Sequence, residues 1–122
     1  MSYKAHNWED VLSAFKELPA GFKPMSDLVR RISQSPYRDD LFPVKSMFSL
    51  SIYQTEEWKP GYETLRIEYS IKDRKFYFEF FEHPNIKKKW KKNCPVKEGY
   101  SAFIHFLELK NWFPVSAVPR GS

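Results

Sequence analysis

Residues 75–81 read Lys-Phe-Tyr-Phe-Glu-Phe-Phe, and no other stretch limits the fold as much. A period of two belongs to a strand, so Phe76, Phe78 and Phe80 share one face while Tyr77, Glu79 and Phe81 share the other. Three phenylalanines in a row on one face require an apolar layer over them. Upstream, Leu65, Ile67, Tyr69 and Ile71 alternate with Thr64, Arg66, Glu68 and Ser70, and Lys72-Asp73-Arg74 makes a short polar connection. The two runs predict an antiparallel hairpin. From Val44 the period is again two, with Phe48, Leu50 and Ile52 against Ser49, Ser51 and Tyr53. A three-stranded antiparallel meander is the expectation, with Gln54 to Gly61 as a polar loop around Trp58.

The cover is read from helical spacing. Asn7 is an N-cap with Asp10 three positions on, and Trp8, Val11, Leu12 and Phe15 recur at the helical period, with Leu18 a turn further and Pro19 as the stop. A second helix is expected from Ser26, just past Pro24, with Leu28, Val29 and Ile32 inward. A third follows Gly99 and runs to about Asn111, its apolar arc formed by Tyr100, Phe103, Ile104 and Leu107 and widened by Phe106 and Leu109. The segment 85–93 reads as an irregular lobe or one or two helical turns. The chain thus predicts a small single α+β domain in the order α-α-β-β-β-α: three helices on an approximately three-stranded antiparallel sheet, spanning residues 1–115. A length of 122 residues supports one core of this kind without metal or disulfide. Residues 116–122 read as a flexible tail, its Val118-Pro119-Arg120-Gly121-Ser122 matching the end of a thrombin-cleavable linker.

Composition removes several classes. A lone cysteine, Cys94, excludes an internal disulfide framework and favours a reducing, cytoplasmic setting. The N-terminus has no apolar core of a signal peptide, and no apolar run approaches a membrane span. The four glycines form neither of the glycine-rich phosphate-binding motifs, which excludes Rossmann and P-loop chemistry.

The charge is segregated. Residues 1–60 carry eight basic and eight acidic side chains, residues 61–82 four and five, and residues 83–122 eight and two. The basic character therefore belongs to Lys87, Lys88, Lys89, Lys91, Lys92 and Lys97, grouped around Trp90 with no acid among them. Such a run can contact phosphates while an indole stacks on an unpaired base, meet an acidic protein or a membrane surface, or simply form a solvated loop anchored by Trp90. A second candidate is the outer sheet face, where Tyr53, Tyr77 and Phe81 stand beside small hydroxyls and suit a protein interface or a homodimer contact.

Chemistry is weakly signalled. His6, His83, His105 and Cys94 have no metal-ligand spacing, so no metal or cofactor is expected. Cys94 stands near lysines that would lower a thiol pKa, with His83 or His105 as a base for a cysteine hydrolase. Glu57 and Lys59 with Asp39 or Asp40 superficially fit a metal-dependent nuclease, but the expected loop position of Glu57 and Lys59 argues against it. The functional expectation is a non-enzymatic protein-binding domain using the sheet face and the lysine segment. A nucleic-acid-binding accessory domain is the alternative, and a small nuclease or cysteine hydrolase stands further off.

Overall fold

In a computed structural model, residues 3–58, 62–82, 87–110 and 112 are described. The helices are α1 (Trp8–Lys16), α2 (Lys23–Ser33) and α3 (Gly99–Leu109). The strands are β1 (Tyr3–Lys4), β2 (Phe42–Ser46), β3 (Ser49–Tyr53), β4 (Glu57–Trp58), β5 (Thr64–Ser70), β6 (Lys75–Glu82) and β7 (Lys87–Pro95). The expected three-stranded single sheet is wrong. Five strands form one antiparallel sheet in the order β2-β3-β5-β6-β7, and β1 pairs with β4 in a separate two-stranded clip. The α+β class stands; the strand count does not.

Three features account for the difference. The run from Val44 is a hairpin and not one strand, because Met47 and Phe48 form a two-residue turn between Ser46 and Ser49. Neither is a turn former, and Met47 adopts a left-handed φ of 54°, a conformation that costs a side-chain-bearing residue about 1 kcal/mol. The presumed lobe 85–93 falls largely within β7, which pairs with β6 from Lys75↔Pro95 to Glu82↔Lys87. A strand at a sheet edge tolerates lysines that an interior strand would reject. The loop around Trp58 contributes β4, whose Trp58 pairs with Tyr3.

The register sorts every side chain to a face. Leu50, Ile67, Phe78 and Lys92 lie in one cross-strand row, Ile52, Leu65, Phe80 and Trp90 in the next, and Tyr69, Phe76 and Cys94 in a third. Most of these positions are buried in one core with Trp8, Val11 and Phe15 of α1, Met25, Leu28, Val29 and Ile32 of α2, and Ala102, Phe103, Phe106 and Leu107 of α3. All three helices thus cover the inner face. The N-cap expectation holds: Asn7 Oδ1 accepts from the Asp10 amide at 2.7 Å. Helix α2 opens at Lys23, earlier than expected, because a proline in the first turn forfeits no helical hydrogen bond. Leu109 is exposed and does not join the α3 core face.

Gly99 lets α3 approach the sheet. A Cβ at this position would lie 2.6 Å from Phe76 Cε2, and Phe76 is itself fully buried. Gly99→Ala should therefore lower stability by about 1–3 kcal/mol despite the better helix propensity of alanine. A thermal melt checks it; an unchanged or raised Tm would show that the ring yields freely.

Candidate partner-binding face

On the outer face, the same register lines up Val44, Ser51, Arg66, Glu79 and Lys91 across all five strands. Glu68, Tyr77 and Asn93 form a second row, and Thr64 and Phe81 a third. In the first row Arg66, Glu79 and Lys91 alternate in sign over three neighbouring strands, a pattern that stabilises cross-strand pairs on a solvated sheet. Arg66 Nε also meets Glu68 Oε1 at 3.0 Å along its own strand. No described helix lies on this face.

The three interface aromatics fare differently. Tyr53 is only 8% exposed, because Trp58 stacks on it at 4.5 Å and Tyr3 stacks on Trp58 at 4.8 Å. Burial holds its phenol above the ordinary tyrosine range, against a hydrogen bond with Thr64 that acts the other way. The β1–β4 clip thus takes Tyr53 out of any contact surface. Tyr77 and Phe81 remain partly exposed. Tyr77 donates its hydroxyl to Asp73 Oδ2 at 2.7 Å, and that bond raises its pKa. The phenol is consequently protonated at neutral pH and tied to the β5–β6 turn by that bond. A shallow hollow of about 320 Å³ runs beside it, lined by Tyr77, Phe78, Glu79, Lys91, Lys92 and Asn93.

The lysine segment divides along β7. Trp90 turns inward, its ring 5.2 Å from Phe106 and 6.5 Å from Phe78, so the indole anchors the strand to the core. It is not presented beside the lysines as a stacking platform. Lys91, Lys92 and Lys97 are exposed. Lys92 occupies an inner-face position opposite Phe78, at the open edge of the sheet. The backbone of Lys88 lies opposite Phe81 and that of Lys87 opposite Glu82, while the pairing steps over Lys89 at a bulge.

The chemical alternatives do not assemble. Cys94 is buried opposite Phe76. Burial, then Glu98, push its thiol up and outweigh Lys92, which acts in the opposite direction. The expected lysine activation is thus reversed. His105 is exposed on α3, and His83 lies outside the described residues. Glu57 stands on β4, not in a loop, but its strand partner is Lys4 and not an acid; Lys59 lies outside the described residues. Among the described residues no three His, Cys, Asp or Glu side chains gather as metal ligands, and no helix is long and apolar enough to cross a membrane.

Sequence reasoning missed the opposite feature. Phe48 and Ile71, expected inside, are each 47% exposed, and Met47 is 76% exposed. No local signal marks the turn at 47–48, because neither Met47 nor Phe48 is a turn former, and the pairing of Ser46 with Ser49 leaves both on the turn.

No known protein family, no curated protein and no solved structure matches the chain.

The state of Cys94 gives a direct check on the interior. With its thiol buried and its pKa raised, a disulfide-exchange reagent at mildly alkaline pH should label the native protein at least about a hundredfold slower than the unfolded chain. Equal rates in the two states would contradict the burial.

Proposed function

We propose that this chain is a binding domain without catalytic chemistry, which docks an acidic protein partner on the outer face of β5, β6 and β7. The observation that carries this reading is one-sided cover: every described helix packs on the inner face. The other side keeps partly exposed Tyr77 and Phe81 next to exposed Lys91 and Asn93. A partly exposed aromatic ring bordered by adaptable polar groups suits a protein contact. Exposed Lys91 and Lys92 of β7 supply the rim, where charge raises the association rate and rejects basic partners.

The density of lysines favours a second reading, nucleic acid held by its phosphates. With Trp90 packed against Phe106, such binding would rest on charge alone and would be unselective and steeply salt-dependent.

A photo-crosslinking residue at Asn93, compared with one at exposed Glu108 on α3, separates these outcomes in cell extract. A discrete protein adduct is expected from position 93 and none from position 108. Lys91→Glu with Lys92→Glu should weaken it about tenfold through the association rate. Identical adducts from both positions, or capture of nucleic acid alone, would overturn the protein-binding reading.

A further inference from the structure

The end of the sheet away from the β1–β4 clip is built from two hairpin turns that lie side by side. Both of the non-glycine residues with positive φ among the described residues are there, Met47 at 54° and Arg74 at 55°. The β5–β6 turn is closed by the Arg74 amide on the Ser70 carbonyl at 2.8 Å and by the Asp73 amide on Ser70 Oγ at 3.1 Å. The β2–β3 turn is held by Lys45 Nζ, which donates to the Met47 carbonyl. Residues 20–22 tie the two together: Phe22 stacks on Phe48 with the rings 4.8 Å apart and 4° from parallel, and Gly21 packs against Ile71.

Such turns ordinarily use glycine, asparagine or aspartate. Here they carry methionine and arginine in a conformation those residues resist, and the side chains so presented are Met47, Phe48 and Ile71, exposed to 76%, 47% and 47%. Backbone strain that presents apolar side chains to water is a feature of sites and not of cores. Around these tips stand Lys72, Arg74 and Lys75, none of which makes an ion pair among the described residues. The one acid in the turn, Asp73, accepts the Tyr77 hydroxyl.

We propose that this turn end docks on an anionic bilayer, with Met47, Phe48 and Ile71 entering the headgroup–acyl boundary and Lys72, Arg74 and Lys75 facing acidic lipid headgroups. Apolar side chains on projecting turns enter a deformable surface without needing a matching pocket, and cations beside them gain from the negative surface potential. This surface adjoins the Tyr77–Lys91 face through the Tyr77–Asp73 hydrogen bond, but its apolar side chains, Met47, Phe48 and Ile71, are not part of that face.

The test is co-sedimentation of the full chain with phosphatidylcholine vesicles, with and without about 30% phosphatidylserine, at about 0.1 M salt. Partitioning should be at least about tenfold stronger on the anionic vesicles. Met47→Asn suits a left-handed turn, so it should hold or raise Tm while weakening partitioning about tenfold. Lys72→Glu with Arg74→Glu should abolish the preference for anionic lipid. The proposal falls if the wild-type chain ignores anionic vesicles, binds both vesicle types equally, or binds unchanged as Met47→Asn. It also falls if Lys91→Glu with Lys92→Glu removes binding that Met47→Asn retains. A tip that ignores vesicles but crosslinks a protein from position 46 assigns the surface to a protein contact instead, and overturns the bilayer.

Discussion

The inward row Phe76, Phe78 and Phe80 on β6 holds this molecule together. Phe80 touches Phe106 and Trp112 at 5.2 and 5.7 Å, Phe78 meets Trp90, and Phe76 meets Tyr69 and the backbone of Gly99. One strand thereby fixes the seat of α3, the inward pose of Trp90 and the depth of Cys94. Because side chains alternate, the same row commits Tyr77, Glu79 and Phe81 to the far face. The candidate face is thus the back of the core row, positioned by it residue for residue.

Much of the inner layer was legible in the sequence. The Phe76 row, the Leu65–Ile67 face, the Asn7 cap and the buried stripes of α1 and α2 follow from periodicity and capping chemistry, and all are present. What escaped was pairing that leaves little mark on composition. The turn at Met47–Phe48 has no glycine or asparagine, so two strands read as one. In β7 the inner-face signal is only Trp90 and Cys94, with Lys92 between them, and a bulge breaks the alternation at Lys89. The candidate site was legible in its residue types and not in its grouping. Parity puts Tyr53 on the same face as Tyr77 and Phe81, but the Trp58 stack that covers it is a tertiary contact no local pattern encodes.

The lysines of β7 also have a structural task. An edge strand of nine residues exposes unpaired amides and carbonyls to any extended chain, and like charge along it discourages that pairing. Lys92 on the core side and the bulge at Lys89 add to the protection. The net positive charge of this segment is therefore compatible with a soluble edge before any partner is considered. The protein contact proposed above accordingly calls on side chains of the face and not on a strand added at the edge.

The β1–β4 clip has a consequence for how the chain assembles. Within the main sheet, β2–β3, β5–β6 and β6–β7 join sequence neighbours, and β3–β5 skips only the short β4 excursion. These contacts close small loops and form early. The pairing of Tyr3 with Trp58 joins segments half a chain apart, for the gain of two residue pairs and a three-ring stack. Among the strand pairings it closes the longest loop for the fewest paired residues, and the Ala5 amide on the Glu56 carbonyl and the His6 amide on the Pro43 carbonyl add to its hold. Trp58 lies directly on Tyr53 and Tyr3 lies on Trp58, so the cover of the buried ring is two aromatic layers deep and depends on a contact between distant parts of the chain.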